Sequence, residues 1–86
     1  MMYYVYVLYD KSQDKFYIGL TCNLRRRIFE HLRNKTHTTQ RMYNPKLVYC
    51  EICLSKKDAQ NRERQLKTGF GRGYLRRRLK NFLMRV

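Results

Sequence analysis

The sequence predicts an α/β (α+β) fold in which a small three-stranded antiparallel sheet is flanked by helices in the order ββαβαα. Two aromatic and β-branched segments joined by a short polar turn predict a hairpin, and a third such segment follows Pro45. Apolar residues at helical spacing between and after these segments predict the helices. A chain of 86 residues has room for one small core, so we expect residues 1–86 to form a single domain.

The three predicted strands follow from composition and from their polar boundaries. Tyr3–Tyr9 and Phe16–Leu20 flank the polar turn Asp10–Asp14, which is short enough to make an antiparallel hairpin. The hydroxyl-rich stretch Lys35–Arg41 predicts a loop, and Lys46–Cys53 predicts the third strand.

The three predicted helices begin or end at recognisable capping residues. Asn23 is suited to cap a first helix that ends near Asn34 and carries an apolar stripe at i, i+4 and i+8. Ser55, with an acidic residue three positions later, opens a second helix that we expect to stop around Gly69 or Gly71. A third helix is predicted over about 73–84.

Charge gives the first indication of function. Twenty Lys and Arg against six Asp and Glu leave a formal net charge of +14, and such self-repulsion is relieved by a polyanion. Nucleic acid is therefore the expected partner, with an anionic membrane surface as the second choice. The sequence contains no long apolar run, and its first residues lack the pattern of a signal peptide, so we expect a cytoplasmic protein without a membrane span.

The three cysteines favour neither a disulfide framework nor a zinc site. Their odd number and the predicted cytoplasmic location argue against disulfides. Cys50 and Cys53 have zinc-like spacing, but on a strand two side chains three apart face opposite ways. We expect both to be buried structural thiols.

Glu63 is the residue that fits a simple amphipathic helix least well. It lies between Ala59 and Leu66 on the apolar side of the second helix, where a carboxylate needs a cation or hydrogen-bond donors. A structural ion pair with an arginine is one interpretation. A ligand for a hard divalent metal such as Mg²⁺, which prefers oxygen, is the other.

Two further groups of side chains can carry chemistry. Arg27 and His31 share a helix face, and the guanidinium disfavours a charged imidazolium, so His31 should stay neutral. Tyr6 and Tyr17 can meet on one face of the hairpin, where a phenol can transfer a proton. The alternatives are a surface arginine, a histidine at the core edge and tyrosines that only pack in the sheet.

Taken together, these segments resemble the GIY-YIG endonuclease superfamily, and its small stand-alone bacterial members in particular. The resemblance runs from about residue 3 to about residue 79 and rests on the order and spacing of several short motifs: Tyr4-Val5-Tyr6, Tyr17-Ile18-Gly19, Asn23-Leu24-Arg25-Arg26-Arg27, His31 and Arg62-Glu63-Arg64-Gln65-Leu66-Lys67.

The resemblance implies a metal-dependent DNA endonuclease with Mg²⁺ or Mn²⁺ as cofactor and Glu63 as the metal ligand. The implied catalytic residues are Tyr6, Tyr17, Arg27, His31 and Glu63. Either tyrosine could be the general base. Two departures stand out: Tyr4 replaces the first glycine of the motif, and Leu20 stands where some members have a lysine or a small polar residue.

Binding should be mainly electrostatic, with low sequence specificity, because nothing in the sequence resembles a base-reading module. Backbone contacts are predicted for seven basic residues: Arg25, Arg26, Lys35, Arg41, Lys67, Arg72 and Arg76. Selectivity would come from DNA shape, as in repair or recombination, or from a partner protein. The alternatives are a non-catalytic nucleic-acid-binding protein that has kept the fold and a basic RNA-associated protein.

Overall fold

The computed structural model describes residues 1–33 and 45–84, and within them three strands form one antiparallel sheet. These strands are β1 (Tyr3–Asp10), β2 (Lys15–Thr21) and β3 (Lys46–Cys53), arranged in the order β2-β1-β3. The central strand β1 is the most apolar of the three, and its residues from position 5 to position 10 are buried. The predicted sheet is confirmed.

Helices cover both faces of this sheet. The same described ranges contain α1 (Leu24–Leu32), α2 (Lys56–Leu66), α3 (Gly69–Arg78) and the short α4 (Lys80–Met84). The predicted fold class and the predicted order of elements are confirmed. The last predicted helix, expected as one helix over about 73–84, instead begins at Gly69 and is divided at Leu79 into α3 and α4.

The alternation of side chains along β1 divides the core into two clusters. Val5 packs with Ala59 and Leu66 on the face covered by α2. Tyr6 faces the other way and packs against Ile28 of α1. The sheet therefore separates α1 from α2, and a side chain at the edge of β2 can lie close to both.

Two helix starts agree with the sequence prediction. The Asn23 side chain accepts a hydrogen bond from the backbone N–H of Arg26 at 3.1 Å. The Ser55 hydroxyl accepts one from the backbone N–H of Asp58 at 3.4 Å. The first helix was expected to end near Asn34, and α1 ends two residues earlier, at Leu32, with Arg33 as its C-cap. The predicted loop Lys35–Arg41 lies outside the described residues.

The boundaries around the glycine-rich segment were predicted wrongly. We expected α2 to reach Gly69 or Gly71, but it ends at Leu66, and Thr68 caps a new helix by accepting a hydrogen bond from the Gly71 N–H. A Cβ at Gly71 would overlap the backbone of Leu66. This glycine therefore allows α3 to pack directly on the end of α2, which sequence periodicity does not reveal.

A polar network docks α2 and α3 on β3. Arg62 donates from Nε and Nη2 to the two carboxylate oxygens of Glu51, each at 2.9 Å. The Tyr49 hydroxyl donates to the same carboxylate at 2.8 Å and lies 2.8 Å from the Tyr74 hydroxyl. Bidentate pairing of this kind has a defined geometry, so it fixes the orientation of α2. The Arg62 guanidinium is also the first cause that lowers the pKa of Glu51.

A second ion pair joins α3 to the turn of the hairpin. Arg76 Nη2 lies 3.0 Å from Asp14 Oδ2, and its guanidinium lies 5.2 Å from the ring centroid of Phe16. The Tyr9 hydroxyl donates to the same carboxylate at 2.6 Å. Asp14 has a positive φ of 52°, and these contacts hold the turn in that conformation.

The two cysteines of β3 face opposite sides of the sheet, as strand periodicity predicts. Cys50 packs with the Tyr6 cluster and Cys53 with the Val5 cluster. They are half-buried rather than fully buried, and both thiols are free. Within residues 1–33 and 45–84, no group of three His, Cys, Asp or Glu side chains is placed to hold a metal ion.

In the described part of the chain, no helix combines the length and the apolar character that a membrane span requires.

Candidate active site

A cavity of about 210 Å³ lies along the edge strand β2 and takes side chains from both sides of the sheet. All five side chains singled out in the sequence line this cavity, and α1, α2 and the hairpin each contribute. The lining residues are Tyr6, Leu8, Tyr17, Ile18, Gly19, Leu20, Arg27, His31 and Glu63.

The register of the hairpin places Tyr6 on the backbone of Gly19. Tyr6 pairs with Gly19 across the strands, and Leu8 pairs with Tyr17, so both tyrosines lie on one face as predicted. A Cβ at Gly19 would clash with the Tyr6 ring and hydroxyl. Glycine at this position is therefore a steric requirement of the tyrosine's placement.

The Tyr6 hydroxyl joins the two functional side chains of α1. Its oxygen lies 2.9 Å from His31 Nε2 and accepts a hydrogen bond from Arg27 Nε at 3.3 Å. The tyrosine is 3% exposed, so these contacts are held in a mostly dry environment. Arg27, Tyr6 and His31 thus form one continuous hydrogen-bonded chain.

His31 is held in its neutral form. Burial is the first cause that lowers the pKa of its imidazole, and the charge of Arg27 lowers that pKa further, while Glu30 opposes both. In the neutral tautomer protonated on Nδ1, the imidazole presents Nε2 as an acceptor for the Tyr6 hydroxyl. The spacing of the two residues on the helix predicted the effect of Arg27 on the pKa of His31. The larger effect, burial of the imidazole, is visible only in the tertiary structure.

Arg27 keeps part of its guanidinium accessible from the cavity. Its Nη1 donates to Glu30 Oε1 at 3.3 Å, while the side chain remains 41% exposed. The hydrogen bond to Tyr6 is the first cause that raises the pKa of Arg27, so the group stays charged. A charged planar fork of this kind is suited to phosphate oxygens.

Tyr17 has a different environment from Tyr6. Its hydroxyl donates to Gln13 Oε1 at 3.0 Å on the exposed side of the cavity. The two tyrosines are thus distinct: one bonds to an imidazole that can accept a proton, and the other bonds to a neutral amide.

Glu63 lies on the opposite wall and is 22% exposed. Its partner is Lys67, with Nζ 3.2 Å from Oε2, so the ion pair expected with an arginine is made with a lysine one turn later. The adjacent Arg62 pairs with Glu51 instead. A partly buried carboxylate that lines an open cavity fits Mg²⁺, which needs few protein oxygens and retains several waters.

The predicted DNA contacts fall into three groups. Arg25, Arg26 and Arg72 are exposed, although Arg26 also lies 4.0 Å from Glu30. Lys67 and Arg76 are engaged with Glu63 and Asp14, respectively, and their contact with DNA stays a prediction. The remaining two, Lys35 and Arg41, lie outside the described residues.

Two supporting residues were missed in the sequence. Gln13 holds the Tyr17 hydroxyl, and Glu30 holds the Arg27 guanidinium. Glu30 follows Arg27 by three positions on a helix, so its spacing could have identified it. Gln13 lies in the hairpin turn, where no periodic signal points to it.

We expect the pKa of His31 to lie below the ordinary value of 6.5 because burial and Arg27 both disfavour its charged form. Between the folded and ordinary pKa values, the unfolded chain then binds more protons than the folded one. Stability therefore rises with pH through this window and falls as the pH drops below 6.5.

An NMR titration of a His37→Gln background, which leaves one histidine signal, measures this pKa. Urea denaturation across the window should give a smaller pH slope for His31→Gln than for the parent. A folded-state pKa above the ordinary value would contradict the geometry.

Gly19→Ala should force the Tyr6 ring off the strand and break its hydrogen bond to His31. Overpacking of this type costs about 1–3 kcal/mol of unfolding free energy, measurable by urea denaturation. The matched control is Gly69→Ala, where the nearest atom to a Cβ is Arg72 Nη2 at 3.6 Å, an ordinary contact. Equal stability of the two variants, with an unchanged His31 NMR signal, would argue against the steric role of Gly19.

A family model, a related sequence and a solved structure all indicate the same family for this chain. The family model described as "GIY-YIG catalytic domain" matches residues 2–81. A UPF0213 protein of Limosilactobacillus reuteri (strain DSM 20016) is 38% identical over 68 residues, which cover 76% of this chain and 70% of the relative. The solution NMR structure of a UPF0213 protein from Bacillus halodurans superposes with a TM-score of 0.50 at 32% identity, covering 98% of this chain and 83% of the other.

The family match covers nearly the whole chain, and the solved relative shares the three-stranded sheet with its helices. On these grounds the chain belongs to the GIY-YIG superfamily of nucleases.

Proposed function

We propose that this protein is a metal-dependent endonuclease that hydrolyses phosphodiester bonds of DNA in the cavity along β2. The observation that supports it most is that one cavity is lined by an arginine, a neutral histidine, two tyrosines and a carboxylate. Each of these groups suits one requirement of phosphodiester hydrolysis: charge neutralisation, proton transfer or metal binding.

Tyr6 is the better candidate for the general base. It would take a proton from the attacking water while passing its own proton to His31 Nε2, which lies 2.9 Å away. The resulting hydroxide attacks phosphorus, the bond from phosphorus to the 3′ oxygen breaks, and the 3′ oxygen takes a proton from water to leave as a hydroxyl. His31 then returns its proton through Tyr6 to solvent, which restores the starting state. Tyr17, whose hydroxyl bonds to Gln13, would instead orient the substrate at the mouth of the cavity.

Arg27 would neutralise the charge that grows on the phosphate. Its Nε is held by Tyr6 and its Nη1 by Glu30, so the guanidinium is oriented before the substrate arrives. Charges oriented in advance need little reorganisation during the reaction, and this is commonly the largest catalytic effect.

Glu63 would hold the divalent ion, Mg²⁺ or Mn²⁺, with waters and phosphate oxygens as the other ligands. When bound, such an ion supplies Lewis-acid polarisation of the phosphate and stabilises the leaving oxygen. Lys67 would give up its contact with Glu63 in the loaded state, since both cations compete for one carboxylate.

The proposed substrate is DNA selected by shape more than by base sequence, as in repair or recombination. The described residues around the cavity offer one guanidinium and two phenol hydroxyls, which suit a phosphate better than a base edge. A protein partner could direct the enzyme to its site.

The first test measures cleavage of supercoiled and branched DNA with Mg²⁺ or Mn²⁺ and with a chelator. Glu63→Ala and Arg27→Ala should each lower the rate by about 100- to 1,000-fold, because each removes charge stabilisation of the transition state. Lys57→Ala, an exposed change at the start of α2, is the control. Cleavage that persists in both variants, or that ignores the chelator, would contradict the proposal.

The second test separates the two tyrosines. Tyr6→Phe should lower the cleavage rate by about 100-fold or more, because it removes the proton relay, whereas Tyr17→Phe should cost less than about tenfold. Circular dichroism checks that both variants fold. The reverse ranking would assign the base to Tyr17.

A further inference from the structure

The outer side of α3 carries a dense positive charge that the cleavage cavity does not use. From Arg64 to the last residue the sequence has basic residues but no Asp or Glu, and three consecutive arginines end α3. A helix that gathers cations without acidic neighbours has a strong local field, and that field attracts polyanions.

The arginines of α3 do not share one role. Arg76 is engaged with Asp14 and lies over Phe16, so it anchors the helix to the hairpin. Arg77 and Arg78 are exposed, and no ion pair is found for either within residues 1–33 and 45–84. These two arginines are therefore available to a ligand.

A concave site accompanies these two arginines. Tyr74, Arg77 and Arg78 line a cavity of about 300 Å³ that shares no residue with the cavity at β2. Tyr74 is fixed by its hydroxyl contact with Tyr49 of β3, so this site lies toward the opposite edge of the sheet. The Tyr74 ring is held in place by Tyr49 and by the Arg62 guanidinium 4.8 Å from its centroid, so it is an anchored wall beside the two exposed guanidiniums of Arg77 and Arg78. Guanidiniums of this kind suit the phosphates of a nucleic-acid backbone.

We propose that Tyr74, Arg77 and Arg78 form a second DNA-backbone site, the α3 site, which holds a segment of the substrate away from the scissile phosphate. This inference rests on the DNA substrate proposed above but not on the cleavage step. Two contacts on opposite edges of one small domain hold two stretches of backbone, which favours substrates with more than one arm or a long duplex.

The test measures DNA binding without cleavage, in chelator, by fluorescence anisotropy over a range of salt concentrations. A duplex of about 20 base pairs is used, about twice the 34 Å length of the domain at ~3.4 Å per base pair. Arg77→Ala/Arg78→Ala should reduce the slope of log affinity against log salt by about 2, since each lost phosphate contact removes about 0.9.

Matched variants distinguish a site from a general effect of charge. Lys56→Ala/Lys57→Ala removes the same two charges from exposed positions on α2 and should leave most of the slope intact. Arg77→Lys/Arg78→Lys should restore it, because lysine also pairs with phosphate as a point charge. Equal losses in the two alanine variants, or an unchanged slope in Arg77→Ala/Arg78→Ala, would overturn the α3 site.

Two further results separate the α3 site from a site for RNA and from the proposed nuclease activity. If the arginine variant loses affinity for an RNA duplex of the same sequence more than for DNA, the site serves RNA and the proposal fails. If no variant cleaves DNA in Mg²⁺ but the slope changes as expected, the proposed nuclease activity fails while the α3 site stands.

Discussion

The ring of Tyr6 lies against the backbone of Gly19, and the geometry of the cavity depends on this contact. It requires glycine opposite the tyrosine and a hairpin register that pairs these two residues. A slip of one residue would turn Tyr6 to the other face of the sheet. With the register fixed, the Tyr6 hydroxyl reaches both Arg27 and His31 of α1. The packing of β1 against β2 thus determines which hydrogen bonds these α1 side chains make.

The cavity combines groups from two helices that never cover the same face of the sheet. The cationic and imidazole groups come from α1, and the carboxylate comes from α2. They meet because β2 is an edge strand, around which side chains from both faces can converge. The ion pair between Arg62 and Glu51 holds α2 in place one residue before Glu63. Local order at the cavity thus depends on the contact that α2 makes with β3.

Net charge alone overstates how many arginines are available to a polyanion. Of 20 basic residues, Arg62 and Arg76 make ion pairs that hold α2 and α3 in position, and Arg27 is committed to the cavity. Exposed cations without a carboxylate partner contribute most to the attraction of DNA. Within residues 1–33 and 45–84, Arg77 and Arg78 of α3 are exposed cations of this kind.

The sequence by itself determined the sheet, the caps at Asn23 and Ser55 and the family motifs, because these depend on local periodicity and on neighbours within one turn. Only the tertiary structure decided that α2 ends at Leu66, because the close approach that requires Gly71 is made by another helix. The burial of His31 and the different environments of the two motif tyrosines were decided in the same way. Burial and hydrogen-bond partners depend on residues distant in the chain, and no spacing rule within one segment contains that information.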